Sequence, residues 1–286
     1  MHSQSSLPDF VMMLALTSDG AAGSVWSRNL SDDLAMHRGM VAIHEQYTRE
    51  MYEKYGYFAT WLPSTRVELG DVGTFSGHRF DKVTTLSELG VAFQSGVSSP
   101  RADLEYSSSG AVSVTTDGAL GVVKSTPLAS VSITFAREGA TYFQASECRE
   151  QAIENLAQLQ TALMPLCHNG TWHPDYVVVT RLVSTGPTMI LISSRGDTRV
   201  ELALNADGLG TPLPLAKAAG NFVMTAKSGL AVSVLADEGS TPLFRASQMR
   251  RRVLGRRELV FRGGDDDLDL ELAAVGWDDV PAGSLG

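Results

Sequence analysis

The spacing of apolar residues changes character along the chain. Between residues 32 and 55, Leu34, Val41, Ile43, Tyr47, Met51 and Tyr55 recur at partial helical spacing and predict a helix. From Tyr55 onward short strand-like runs take over. Residues 57–63 read as a strand closed by Pro63, 67–73 as a strand ending in a glycine turn, and 80–89 as a short helix or strand with another glycine stop. Residues 111–114 and 120–123 flank Thr115-Thr116-Asp117-Gly118, whose Asp-Gly pair predicts a hairpin. Val131, Ile133 and Phe135 alternate with Ser132, Thr134 and Ala136, as in a strand with one wet face. Over 145–164 the stripe Cys148, Ala152, Leu156, Leu159 and Leu163 leaves Glu147, Arg149, Glu150, Glu154 and Gln158 outside, predicting a helix that stops before Pro165. Strands follow at 176–183, 188–193 and 198–204, separated by turns at 184–187 and 194–197. Residues 222–226 and 230–235 predict one more hairpin around Lys227-Ser228-Gly229. No internal repeat is present. Strands, a helix and more strands predict an α+β fold built on a twisted, largely antiparallel sheet with flanking helices.

With 286 residues, 43% of them hydrophobic and 19% charged, the chain has ample material for a core. No run of eighteen apolar residues occurs, so no transmembrane helix is expected. The apolar stretch 10–16 is short and unpreceded by a basic residue, so no export signal is expected. Two cysteines, Cys148 and Cys167, fit a reducing cytoplasm. The net charge of −9 argues against nucleic acid as a partner.

The end of the chain reverses its charge. Arg245, Arg250, Arg251, Arg252, Arg256, Arg257 and Arg262 face one acid, Glu258, while residues 263–286 hold seven acids and no base. A purely acidic tail stays solvated. This one interleaves its acids with Leu268, Leu270 and Leu272, followed by Val275, Trp277 and Val280. It has the apolar side chains to dock on a surface, and its removal would bring the net charge from −9 to −2 and leave an arginine-rich end. The pattern is that of a folded body closed by a detachable, charge-matched lid.

Enzyme signatures are missing. The sequence has no phosphate-binding glycine loop ending in Lys-Ser or Lys-Thr, no dinucleotide fingerprint and no nucleophile elbow. Cys167-His168-Asn169-Gly170-Thr171-Trp172-His173-Pro174-Asp175 supplies a thiol, two imidazoles and a carboxylate, the types needed for zinc or a Cys–His pair. The spacing fits no metal pattern, and Asn-Gly and His-Pro are natural turn formers, so a solvated helix-to-strand loop is expected. The chain is read as a non-enzyme without cofactor.

In order and texture the segments resemble the bacterial gasdermins. The opening Tyr55-Gly56-Tyr57, Leu62-Pro63, Leu69-Gly70-Asp71-Val72-Gly73 and Leu86-Ser87-Glu88-Leu89-Gly90 is similar to that family's start. Asp175-Tyr176-Val177-Val178-Val179-Thr180 resembles its central strand, and Gly239-Ser240-Thr241-Pro242-Leu243-Phe244-Arg245-Ala246 the segment before its removable peptide. The resemblance implies a gasdermin N-domain-like fold over 51–262, an autoinhibitory tail over 263–286, and a 1–50 extension outside the pattern. It also implies a cytoplasmic protein held inactive until a partner protease, often caspase-like, removes the tail. The cut form then inserts β-hairpins into the inner membrane, self-oligomerises into a ring and kills the infected cell in defence against phage. The family's acylated N-terminal cysteine has no counterpart here, the first cysteine being Cys148.

Combined with the residues, this gives concrete expectations. Residues 111–135 and 176–204 supply two membrane hairpins, with Ser113, Thr115, Ser132, Thr134, Thr180 and Ser184 facing water. Leu268, Leu270, Leu272 and Trp277 make the autoinhibitory contacts, with Trp277 as anchor. The cut falls near Arg252, Arg257 or Arg262, and Arg250, Arg251, Arg252, Arg256 and Arg257 then meet anionic lipid. Two rival readings stand beside it. One is a soluble cytoplasmic adaptor whose exposed acidic tail is a docking peptide. The other is an enzyme using Cys167, His173 and Asp175.

Overall fold

A computed structural model describes residues 29–97, 103–117, 130–204, 222–236, 238–251 and 270–281. The chain divides into two compact units, Met1–His37 and Arg38–Gly286, and the second carries the sheets. Helix α1 (Asn29–Tyr55) matches the helix predicted over 32–55. Its C-terminal part is core: Ile43, Tyr47 and Met51 are buried, although the sequence places 1–50 in an extension. The fold is α+β, with every strand pair antiparallel.

The largest sheet contains β1 (Phe58–Ala59), β2 (Asp71–Ser76), β3 (Arg79–Thr85), β4 (Ser95–Val97), β9 (Arg149–Ile153), β10 (Val177–Thr185), β15 (Ser240–Arg251) and β16 (Leu270–Ala274). Its spine runs β1-β15-β10-β2-β3; β16 pairs with β15, and β9 joins β10 to β4. Alternate residues of β10 feed opposite faces. Val177 and Val179 pack with Phe58, Phe244 and Ala246, whereas Val178 packs with Leu159 and Leu163 of helix α2 (Leu156–His168).

The two smaller sheets are halves of one object. One holds β14 (Leu230–Ala236), β11 (Thr188–Ser193), β8 (Thr141–Ala145) and β5 (Leu104–Ser107), in that order. The other holds β13 (Phe222–Ser228), β12 (Thr198–Leu204), β7 (Ser130–Phe135) and β6 (Val112–Asp117). Each sheet takes one half of the same four chain segments, in the same lateral order. The segments break at 108–111, 136–140, 194–197 and Gly229. A four-stranded antiparallel ribbon is thus folded over along a single line. Between its layers pack Val131, Ile133, Phe135, Val200 and Leu202 from one side and Tyr142, Met189 and Leu191 from the other. The remaining face of the first layer, with Phe143, Ile190 and Ile192, packs on Ile43, Tyr47 and Met51 of α1. Buried on both faces, β11 reads as the unbroken apolar run Met189-Ile190-Leu191-Ile192.

Several expectations are corrected. The helix predicted over 145–164 is replaced by β9 followed by α2, which passes Pro165 and ends at His168. Residues 149–153 carry a helical stripe, but β10 and β4 pair with them on both edges, and this ladder overrides local preference. The chain turns at Glu147, with φ 55. Beyond Pro165, the hydrogen bonds Asn169 N–H to Pro165 O and Trp172 N–H to Leu166 O carry the helix end. Residues 176–204 form no hairpin, because β10, β11 and β12 lie in three different sheets. Nor do 222–235, since β13 and β14 lie on opposite sides of the fold line. Within 111–135, β6 pairs antiparallel with β7, but the tight hairpin predicted between 111–114 and 120–123 is corrected, because Thr115, Thr116 and Asp117 continue β6 and pair with β7 rather than turning. Residues 120–123 lie outside the described residues. The second long antiparallel pair is β12–β13.

Candidate functional site

The tail is seated on the large sheet as a strand. β16 runs antiparallel to β15 from Ser247↔Ala274 to Arg251↔Leu270, and Val275 N–H donates to Ala246 O at 2.9 Å. Its outer edge is held by one side chain of α2. The Gln160 amide donates from Nε2 to Leu270 O at 3.3 Å and accepts from Leu272 N–H at Oε1 at 3.1 Å. An amide side chain has the same donor–acceptor pair as a strand edge, so Gln160 substitutes for a neighbouring strand. Leu270 and Leu272 pack against the apolar cluster of α2, with Met249 of β15.

Beyond the strand the chain makes a 3-10 turn, Trp277–Asp279, between buried Val275 and Val280. Asp279 Oδ2 accepts from Gly276 N–H at 2.7 Å and pairs with Arg250 at 2.9 Å. The backbone hydrogen bond first, then Arg250, holds this carboxyl below its ordinary range. The Trp277 indole stacks on His78 with ring centroids 3.7 Å apart, meets Tyr52 at 5.5 Å and Phe58 at 6.2 Å, and takes the Arg49 guanidinium 5.7 Å from its centroid. His78 reaches it from the two-residue turn Gly77-His78 between β2 and β3, both residues at positive φ (54 and 63), the geometry of a tight hairpin turn. His78 Nε2 lies 3.3 Å from Trp277 O. Burial depresses the basicity of this imidazole, partly opposed by that contact.

A second cluster lies on the fold line and is built from the same helix. Glu50 of α1, its carboxylate 14% exposed, accepts from Ser108 Oγ at 2.8 Å, Arg137 at 3.2 Å and Gln46 at 3.0 Å. Ser108 and Arg137 occupy the breaks of two neighbouring segments. Ser108 Oγ also accepts from Thr141 N–H at 2.9 Å, and Ser193 Oγ bridges Arg137 O at 2.6 Å and Ala140 N–H at 3.0 Å. On α1, therefore, Arg49 and Tyr52 face the tail while Gln46 and Glu50 face the fold line.

Of the residues singled out from sequence, Leu270, Leu272 and Trp277 come together on the large sheet. Arg250 is engaged by Asp279 and by Gln248 at 3.1 Å, and so is committed to the tail seat. Arg251 is exposed at the end of β15. Arg252, Arg256, Arg257, Arg262 and Leu268 lie outside the described residues. Of the proposed water-facing hydroxyls, Ser113, Thr115 and Thr134 are exposed, whereas Thr180 is buried against Ser247 at 3.1 Å. Gln160, His78, Arg49 and Glu50 carried no signal of their own, apart from the Gly77-His78 turn between two strand-like runs. In the Cys167–Asp175 stretch, His173 pairs loosely with Asp175 at 3.7 Å, both exposed, and rests on Tyr176. Burial pushes the Cys167 thiol up, away from nucleophile character. Among the described residues no group of three or more His, Cys, Asp or Glu is placed to hold a metal ion, and no helix is long and apolar enough to cross a membrane. Compared with known proteins, the chain matches no family model and no curated protein.

Proposed function

We propose that the chain is a tail-inhibited pore-forming protein, activated when a protease cuts within 252–269 and frees the tail. The observation that carries the reading is the folded ribbon. Straightened, its segments 104–117, 130–145, 188–204 and 222–236 each exceed the ~9–11 residues a tilted strand needs to cross a bilayer. The central pair keeps its register across the fold. Ile192↔Thr141 ends one ladder and Thr198↔Phe135 begins the other, with five residues between them on each strand (193–197 and 136–140). The two ladders would therefore merge without slippage.

The ribbon's geometry also suits assembly. The outer segments, 104–117 and 222–236, run in opposite directions, so identical copies side by side continue the antiparallel pattern and a ring leaves no free edge. On straightened strands Val131, Ile133, Phe135, Val200 and Leu202 share a face with Phe143, Ile190 and Ile192, which would turn to lipid, and Ser113, Thr115 and Thr134 would turn to water. Asp117, Ser130, Leu204 and Phe222 lie at the same end of the ribbon, and in sequence 118–129 joins the first two and 205–221 the last two. Lys124 is the sole charge in 118–129, and Asp207 and Lys217 are the charges in 205–221.

α1 gives the tail its leverage, since one helix contacts Trp277 and clamps the fold line. The resemblance to bacterial gasdermins adds a caspase-like activating protease, a cytoplasmic resting state, the inner membrane as target and cell death against phage as outcome. Arg252, Arg257 and Arg262 are the candidate cut positions. Arg250, Arg251, Arg252, Arg256 and Arg257, once freed, would each contribute ~1 kcal/mol near an anionic surface. An adaptor tail would offer Leu270, Leu272 and Trp277 to solvent; these pack on the chain's own sheet, which favours the inhibitor reading.

The test is dye leakage from anionic liposomes, using full-length protein with an engineered protease site after Arg262. Leakage is expected only after cutting. No leakage from a cut protein that is still folded would refute the proposal.

A further inference from the structure

We infer that the tail seat is a self-standing peptide site, so that cutting the chain does not by itself empty it. The inference rests on the reading of the tail as an inhibitor and concerns how that inhibition ends. The seat's described components, Gln160 on α2, Ser247 to Arg251 on β15, Arg49 and Tyr52 on α1, Phe58 on β1 and His78 in the β2–β3 turn, all precede residue 252. They therefore remain on the body when the connection is cut.

Recognition uses two layers. The backbone of 270–274 is bonded along one edge by β15 and along the other by the Gln160 amide, at 3.3 and 3.1 Å, a strand-addition mode that needs no particular side chains. Side chains then select: Leu270 and Leu272 beside α2, Val275 and Val280 in the core, Trp277 between His78 and Arg49, and Asp279 on Arg250. The ligand class is an extended peptide with leucines two positions apart, followed by a tryptophan that two acids succeed. Before cutting, the seat sees this peptide at the ~mM effective concentration of a tethered segment. After cutting it sees the peptide at its free concentration. Inhibition then becomes a mass-action equilibrium, and activity begins when the peptide dissociates or is diluted away.

The experiment uses full-length protein with the engineered site, cut and held at several concentrations, and a labelled synthetic peptide of residues 268–281. The cut tail is expected to co-elute with the body at high concentration, and leakage to rise on dilution. Excess peptide should suppress leakage, and a peptide carrying Trp277→Ala should bind at least about 30-fold more weakly. Gln160→Ala in the body should weaken binding about 10-fold, consistent with two lost hydrogen bonds. A second arm needs no cutting: intact Trp277→Ala protein, with its own tail loosened, should take up the wild-type peptide, and intact wild-type protein should not. Immediate loss of the tail from a folded cut body, or leakage that ignores excess peptide, overturns the inference while leaving the pore reading intact. Peptide binding without leakage under any condition supports the seat and overturns the pore reading instead.

Discussion

Replacing Trp277 by alanine separates the tail from the sheet without touching the strand that holds it. The indole is half-buried between His78 and Arg49, with Tyr52 and Phe58 at its edges. Aromatic side chains of this size bury ~150–250 Å² when fully enclosed. Half of that, at ~25 cal/mol per Å², is about 2–3 kcal/mol. The stack and the cation–π contact add fractions of a kcal/mol each, offset by water entering the emptied socket. A loss of about 2–3 kcal/mol raises the population of tail-open molecules ~30–150-fold. Amide hydrogen exchange reads this directly, because the ladder hydrogen bonds of β16 and the amides of Leu272 and Val275 protect only while the tail is seated. Exchange in 270–275 is expected to accelerate ~30-fold or more, with β10 unchanged and Trp277→Phe close to wild type. If 270–275 exchange no faster, Trp277 is no anchor. If β10 accelerates equally, the tail is an inseparable part of the core, and the notion of a removable lid fails.

Three further outcomes follow from the same geometry. Glu50→Ala deprives Ser108 and Arg137 of their shared acceptor and should cost about 2 kcal/mol in thermal unfolding, with faster exchange at 108–111 and 136–140 but not at 270–275. Met249→Cys with Leu272→Cys, register partners on β15 and β16, should form a disulfide that blocks leakage of the cut protein until reductant is added. His44 is buried, and desolvation, then Arg79, brings its pKa from 6.5 to about 4. The unfolded chain binds this proton first, so the stability present above pH 6.5 is lost as pH falls to about 4. The loss is roughly 3 kcal/mol, which urea denaturation should detect and His44→Gln should remove.

Much of this was legible in the residues, and what was not has identifiable causes. The runs at 188–193 and 198–204 became β11 and β12, because alternation and turn residues act locally. Their partners were hidden. A break such as Ser194–Asp197 looks like any hairpin turn, and only long-range pairing shows that it moves the chain between layers. The helix misread over 145–153 has the same origin, since an apolar stripe cannot reveal that β10 and β4 lie waiting on both sides. In the tail, Leu270, Leu272 and Trp277 announced themselves as apolar residues among acids. Their receptors did not, because Gln160, His78 and Arg49 are ordinary polar residues far away in sequence whose roles exist only in the assembled fold.

On the proposed reading, a removable tail on one sheet governs a ribbon in two others through an element that joins them, and α1 is a described element that touches both. Arg49 and Tyr52 touch Trp277, while Glu50, less than a turn away on the helix and bonded by Gln46, holds the breaks at Ser108 and Arg137. Residues three and four apart project from neighbouring positions of one cylinder, so a shift of the helix at one contact moves the other. The helix itself is tied down by Tyr47 and Met51 in the layer beneath, which limits it to few positions. Loss of the tail removes the aromatic and cation–π contacts from one side of α1. The Glu50 carboxylate then holds the fold line from a helix that keeps its packing through Tyr47 and Met51 but has lost its contacts to Trp277. Coupling of this kind predicts an order of events: exchange at 108–111 and 136–140 accelerates after tail loss, and Glu50→Ala accelerates it without tail loss. If the fold line loosens at the same rate with the tail seated or absent, α1 transmits nothing, and the tail must act by covering the sheet alone.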